Sequence, residues 1–174
     1  ADVLPADCLL LYENLWWPGL TLTEPELAAR LLERTHHERT GFVLDTGHMM
    51  NTDTSLADEA EAVAYILRNV ERLGGLREKI FAMHLHRSLS GAFVQKVMAE
   101  TQGEKMRPLS FEEGYGYVSK VDRHEPFQTE AVRRLVQTVA PEFLVHEFLI
   151  SSLVEWQQKV QRQRMSLWGG EPQA

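Results

Sequence analysis

Ile80-Phe-Ala-Met-His-Leu-His86 is a short apolar run that ends on two histidines. Its length and its β-branched and aromatic residues are typical of a buried strand. Three other apolar runs also end on residues that bind metals: Cys8 to Glu13, Phe42 to Asp45, and Phe143 to Glu147. Because helical patterns separate these runs, the sequence predicts an α/β fold with a parallel sheet.

Helix-start signals locate the connecting helices. Thr23-Glu-Pro-Glu predicts a helix that runs to about His37, and Ser55-Leu-Ala-Asp-Glu predicts one that runs to about Leu73. Two more helices are expected over about 129–139 and 151–167. The stretch at about 87–121 holds four glycines and mixed charge, so it is predicted to be a long loop. Such a loop is either a lid over the strand ends or an insertion without function.

Ligand-type residues at the ends of these runs predict a metal site. The carboxyl ends of parallel strands meet at one edge of the sheet, and in an α/β barrel they converge around one axis. Glu13, Asp45 and Glu147 are therefore expected to meet a histidine of the third strand, His84 or His86. Strand alternation puts both histidines on one face, so spacing does not choose between them. Carboxylates and imidazoles together suit Mn²⁺, Mg²⁺, Co²⁺ or Zn²⁺.

Composition limits the classes of protein to consider. The 174 residues are 44% hydrophobic and 25% charged, which fits one domain over residues 1–174. The formal net charge of −7 disfavours a nucleic-acid partner, because such binding rests largely on Lys and Arg that neutralise phosphates. Cys8 is the only cysteine, which excludes an internal disulfide and fits the reducing cytoplasm. No apolar run approaches the roughly 20 residues that a membrane-spanning helix needs.

Five motifs follow one another along the chain: Tyr12-Glu-Asn14, Leu44-Asp-Thr-Gly-His48, Met83-His-Leu-His86, Val121-Asp-Arg-His124 and His146-Glu147. As an ordered set they resemble the carboxyl-terminal half of the xylose-isomerase-like TIM barrel superfamily. That superfamily includes sugar isomerases and epimerases, and apurinic endonucleases of the endonuclease IV type (AP endonuclease family 2). The resemblance extends from Leu9 to about Leu153 and implies a parallel (βα)4 half of a TIM barrel.

The resemblance also assigns roles to the ligand-type residues. It implies that one shared divalent metal is bound by four of them: Glu13, Asp45, the third-strand histidine and Glu147. The endonuclease pattern places that histidine at His84, and the epimerase pattern places it at His86. His48 matches a position that binds substrate in the epimerases and a second metal in the endonucleases. Asp122 and His124 match an Asp-x-His pair that coordinates metal in the endonucleases.

Half a barrel has two open sheet edges and an exposed inner face, which is an aggregation hazard. Three explanations are open: the chain is a fragment of a longer enzyme, a second copy closes the barrel as a homo-oligomer, or another chain supplies the missing half. The start without Met, close before a strand, favours truncation.

Three side chains near the motifs are candidates for binding substrate. Trp16 follows Glu13 and is placed either to stack on a sugar ring or to fill the mouth of the barrel. Arg87 and Arg123 flank the metal motifs and are either phosphate-binding residues or surface charges.

Three functions are compatible with these patterns. The first is an isomerase or epimerase of a small sugar or sugar phosphate, in which Glu13 and Glu147 act as base and acid through an enediolate. The second is metal-dependent cleavage of phosphodiester bonds at abasic DNA, which His48 and the Asp122-Arg-His124 motif favour. The third is a non-catalytic half-barrel that binds a ligand or assembles with a partner. The acidic balance favours the first function over the second.

Overall fold

A parallel sheet that alternates with helices forms the centre of the molecule. The computed structural model describes residues 5, 7–101 and 108–169. Within them the sheet has four strands: β1 (Leu10–Glu13), β2 (Thr40–Asp45), β3 (Ile80–His84) and β4 (Phe143–Val145). Their spatial order, β1-β2-β3-β4, follows the chain, and all pairs are parallel. The predicted α/β class and parallel sheet are confirmed, and the order shows none of the reversal of a doubly wound sheet.

The helices lie between and after the strands. In the described ranges they are α1 (Pro25–Arg34), α2 (Thr46–Met50), α3 (Glu59–Arg72), α4 (Gly91–Thr101), α5 (Phe111–Val121), α6 (Ala131–Val139) and α7 (Leu153–Trp168). Asp58 caps α3 by accepting a hydrogen bond from the backbone N–H of Glu61, so that helix begins later than predicted. Among the described helices, none combines the length and the apolar character needed to cross a membrane.

The stretch at about 87–121 differs from the predicted long loop, because it contains α4 and α5. Ser110 and Glu113 form a capping box at the start of α5, in which each side chain accepts a hydrogen bond from the other residue's backbone N–H. Gly114 and Gly116 obscured this helix in the sequence, since each glycine lowers helix propensity by about 1 kcal/mol. Residues 102–107 of the stretch lie outside the described residues.

The core forms on one side of the sheet. β2 is buried along its whole length, and Phe42 and Leu44 are inaccessible to solvent. The apolar face of α3 joins the same core through Ala62, Val63, Ile66 and Val70. Burying a side chain such as Phe42 contributes roughly 2 kcal/mol. Because alternate strand residues point to opposite faces, the packing of Phe42 and Leu44 fixes the direction of Asp45.

The two outer strands are open within the part of the chain that the structure describes. β1 pairs with β2 alone, and β4 pairs with β3 alone. Phe143 and Val145 of β4 are 53% and 43% exposed. An apolar edge strand of this kind offers unpaired backbone groups to another strand.

The end of α6 gives a first prediction. Ala140 is exposed and adopts the left-handed conformation with φ of +49°. In this conformation the Cβ of a non-glycine residue destabilises the folded state by roughly 1–2 kcal/mol. Glycine avoids that strain, but it also makes the unfolded chain more flexible, which cancels part of the gain in stability. We therefore expect Ala140→Gly to raise the free energy of unfolding in urea by up to about 1 kcal/mol. Gln137→Gly, inside the same helix, is the matched control and should lower it by about 1 kcal/mol.

Candidate metal centre

Side chains from all four strand ends meet around one nitrogen atom. Nδ1 of His84 lies 3.5 Å from Oε1 of Glu13, 3.6 Å from Oδ2 of Asp45 and 2.8 Å from Oε2 of Glu147. The sheet register accounts for part of this, because Asp45 is the direct partner of His84. We call Glu13, Asp45, His84 and Glu147 the first cluster.

A second cluster lies against the first. Oδ2 of Asp122 is 2.7 Å from Nε2 of His124 and 3.3 Å from Nε2 of His48. His48 also approaches the first cluster, since its Nδ1 is 3.4 Å from Oε1 of Glu13. The structure thus brings His48, Asp122 and His124 together, although His48 is separated from the other two by α3, β3, α4 and α5.

His86 lies between the two clusters. Its Nε2 is 3.0 Å from each carboxylate oxygen of Asp45, and its ring stacks on His124 with centroids 4.0 Å apart. Because an ionised carboxylate only accepts hydrogen bonds, Nε2 of His86 is the donor. The spacing did not decide whether His84 or His86 belongs to the site, and the structure places both there. His84 lies among the three carboxylates, and His86 binds Asp45. His86, His124 and Glu147 also offer donor atoms within 4.8 Å of one another.

Asn14 and Gly47 position Asp45 and His86, and sequence reasoning gave them no role. The side chain of Asn14 accepts a hydrogen bond from the backbone N–H of Asp45 and donates one to its C=O, which ties the end of β1 to β2. Its position directly after Glu13 was the available signal. A Cβ at Gly47 would overlap the ring of His86, so only glycine allows this close approach.

Charges within the first cluster stabilise one another. Contacts with Asp45, Glu13 and Glu147 raise the pKa of His84 from 6.5 to about 11. The contact with His84 lowers the pKa of Glu147. Burial favours the protonated form of Asp45, but the close contact with His84 and the hydrogen bond from His86 outweigh burial and hold its pKa well below the ordinary value.

The second cluster is also an ion-pair network. Burial lowers the pKa of His48, but its hydrogen bond to Asp122 and the charge of Asp45 raise it from 6.5 to about 9. Burial lowers the pKa of His124, but its hydrogen bond to Asp122 raises it, and the net shift is upward. Hydrogen bonds from His124 and His48 lower the pKa of Asp122 despite burial. Protons on the imidazoles therefore offset part of the carboxylate charge in the two clusters.

Two orphaned atoms show that the donor set fits a metal ion. Among the described residues, Nδ1 of His84 and Oε2 of Glu147 are buried and make no directed hydrogen bond, although they are 2.8 Å apart. Donor atoms about 2.1 Å from one ion lie about 3.0 Å apart in octahedral and about 3.4 Å apart in tetrahedral geometry. The distances of 2.8 Å, 3.5 Å and 3.6 Å around Nδ1 of His84 are within about 0.2 Å of these two values.

The predicted substrate-binding side chains are only partly at the site. Trp16 is half-buried, and its ring centroid is 4.7 Å from that of His48. The guanidinium of Arg87 forms a 2.7 Å salt bridge with Glu59 in the first turn of α3, and its binding of phosphate stays a prediction. The carboxylate of Glu59 also accepts hydrogen bonds from the backbone N–H groups of Gln128 and Thr129, just before α6 begins. Arg123 is exposed between the two ligand-type residues of its motif.

Comparisons with protein-family models, curated proteins and solved structures found no match. The two clusters, His86 and Trp16 form the candidate site. Chemically, the arrangement offers oxygen and nitrogen donors for divalent cations, together with carboxylates that can accept and return protons.

The raised and lowered pKa values predict how the stability of EDTA-treated protein depends on pH. Protons kept by His48 and His84 stabilise the fold fully below pH 6.5, and this contribution is lost as the pH rises through about 9 and 11. The contribution of Asp45 and Asp122 is complete above pH 3.8 and is lost as the pH falls. We expect the free energy of unfolding in urea to be largest between about pH 4 and pH 6.5. A steady rise from neutral to alkaline pH would contradict the protonated imidazoles.

Proposed function

We propose that this chain forms the carboxyl-terminal half of a xylose-isomerase-like barrel and supplies the divalent-metal site of an isomerase or epimerase for small sugars or sugar phosphates. The observation that carries the proposal is the convergence of Glu13, Asp45 and Glu147 on Nδ1 of His84, within 3.6 Å. Mn²⁺, Mg²⁺, Co²⁺ and Zn²⁺ are the candidate ions, since the donors are mostly carboxylate oxygens with imidazole nitrogen.

The two glutamates are the proton-transfer groups in this proposal. When bound, a divalent ion draws electron density from neighbouring substrate oxygens and lowers the energy of an enediolate. Glu147, whose pKa is lowered, is ionised and accepts the proton next to the carbonyl. Glu13, from the opposite edge of the sheet, takes a proton from solvent and delivers it to the other face of that carbon, while Glu147 releases its proton to solvent, which gives inversion. Trp16 beside His48 provides an apolar wall for the sugar carbons.

A second candidate function is phosphodiester cleavage at abasic DNA. The meeting of Asp122 with His48 and His124 favours it, because these residues are a second donor set next to the first. Accessibility favours a small substrate instead. The side chains of Glu13 and Glu147 are 36% and 41% exposed, whereas those of the second cluster are 10–11% exposed. The net charge of −7 also opposes binding to a polyanion.

A partner for the open edges belongs to the same proposal. Four further βα units, from another segment or from a second copy of this chain, would pair with β1 and β4 and cover the exposed Phe143 and Val145. The single cysteine suits a reducing cytoplasm for such an enzyme.

Metal titration tests the first cluster directly. We expect Glu147→Ala to weaken binding of Mn²⁺, Co²⁺ or Zn²⁺ in calorimetric titration by at least about 100-fold, because it removes a ligand rather than a supporting residue. Glu142→Ala is the matched control, since Glu142 is exposed just before β4 and touches neither cluster. Unchanged metal affinity of Glu147→Ala would remove the assignment.

Deuterium exchange and DNA nicking separate the candidate functions. For the metal-loaded protein with both barrel halves present, we expect solvent deuterium to enter the carbon next to the carbonyl of a sugar or sugar phosphate. Glu147→Gln should stop this exchange, and abasic duplex DNA should stay intact. Nicking that is lost in His124→Ala would support the endonuclease. Metal binding without exchange or nicking would support the non-catalytic half-barrel.

A further inference from the structure

Ser88 is a buried hydroxyl that neither the ligand set nor the proposed proton transfer uses. Its Oγ donates to Oδ1 of Asp122 at 3.0 Å. The same oxygen accepts the backbone N–H groups of Arg123 at 2.9 Å and His124 at 3.3 Å. It also lies 3.3 Å from Nδ1 of His86. All of these contacts are within the site, and Ser88 itself is inaccessible to solvent.

The backbone that Ser88 binds is strained. His124 adopts a left-handed conformation with φ of +49°, which a residue with a Cβ rarely enters. Such conformations persist where surrounding contacts hold them, and they occur often at functional sites. Two backbone N–H groups bound to one side-chain oxygen are such contacts. They act together with the two backbone hydrogen bonds between Arg87 and Glu125, which hold the next residue of the same turn.

Ser88 also connects the two clusters. Asp45, His86, Ser88 and Asp122 form a continuous chain, with contacts of 3.0 Å, 3.3 Å and 3.0 Å between successive side chains. One carboxylate at each end belongs to a different cluster. The step from Ser88 to His86 is a close contact and not a further hydrogen bond of the hydroxyl, because Asp122 and two backbone N–H groups already use its proton and its lone pairs.

The order Ser88, His86, Asp45 resembles that of a nucleophilic triad, but the geometry opposes this role. A nucleophile must reach its substrate, and Ser88 is fully buried. Its proton points to Asp122, and its lone pairs face two backbone N–H groups. The hydroxyl therefore holds other groups in place instead of reacting.

We propose that Ser88 is the positioning residue of a two-ion centre: its hydroxyl fixes Asp122 and His124 as ligands of a second divalent ion and packs against the ring of His86. This inference rests on the proposed metal binding and extends it to the second cluster, which the proposed proton transfer does not use. Ser88 does not bind the ion itself. Removing it should weaken the second ion selectively, since residues that orient ligands typically change metal affinity by about 10–100-fold.

Calorimetric titration with Co²⁺ and Zn²⁺, together with the visible spectrum of bound Co²⁺, tests the proposal. We expect Ser88→Ala to retain the first ion and to lose affinity for the second by about 10–100-fold. Ser88→Cys, which keeps a weak donor of similar shape, should lie between Ser88→Ala and the natural chain. Ser90→Ala is the matched control, because Ser90 is another buried serine whose hydroxyl binds Asn51 outside both clusters. Two ions bound with natural affinity by Ser88→Ala would overturn the proposal.

Imidazole ¹⁵N NMR of the EDTA-treated variants keeps the test independent of metal loading. Ser88→Ala should shift the ring signals of His86 and His124, whereas Ser90→Ala should leave them in place. Unshifted rings in Ser88→Ala would overturn the positioning role, whatever the metal result. If the natural chain binds no divalent ion, the proposed function fails, and the NMR result still decides whether Ser88 orients the histidines.

Discussion

Glu13, Asp45 and Glu147 all lie within 3.6 Å of one imidazole nitrogen, and carboxylates gathered this closely repel one another unless positive charge lies among them. The raised pKa of His84 and the lowered pKa of Asp45 and Glu147 both follow, because a protonated imidazole and ionised carboxylates stabilise one another. A proton on the imidazole or a divalent cation can supply the charge. Protons and metal ions therefore compete for the same place, and cation affinity should rise as the imidazoles lose their protons.

The strand ends carried most of the information that could be obtained from sequence. An apolar run of strand length followed by a carboxylate or imidazole predicts both where the strand ends and which side chains meet there. Glu13, Asp45, His84 and Glu147 illustrate this, because strand period and parallel order leave few other arrangements. His48 and the Asp122-Arg-His124 motif were found through ordered motifs and not through local pattern, since their meeting depends on the path of α4 and α5.

Other features could not be predicted, for physical reasons that differ from case to case. Helix α5 was hidden because two glycines weaken its local propensity, while the capping box at Ser110 and contacts of the folded chain support it. The salt bridge of Arg87 could not be predicted, since its partner Glu59 is remote in sequence. Ser88 gave no signal, because a serine near a motif is ordinary and its role arises from a strained backbone that only coordinates reveal.

The span of the first cluster has a consequence for cooperativity. Neighbouring strands are about 4.8 Å apart, so β1 and β4 are three such steps, about 14 Å, apart along the sheet. The side chains of Glu13, at the end of one, and Glu147, just beyond the other, bridge this width and lie within 3.5 Å of Nδ1 of His84. A cation bound there would be a non-covalent cross-link between the two outermost strands, closing a loop that contains most of the polypeptide. Local unfolding of β1 or of β4 would then break bonds to the same ion. The two edge strands should therefore unfold together and not one at a time.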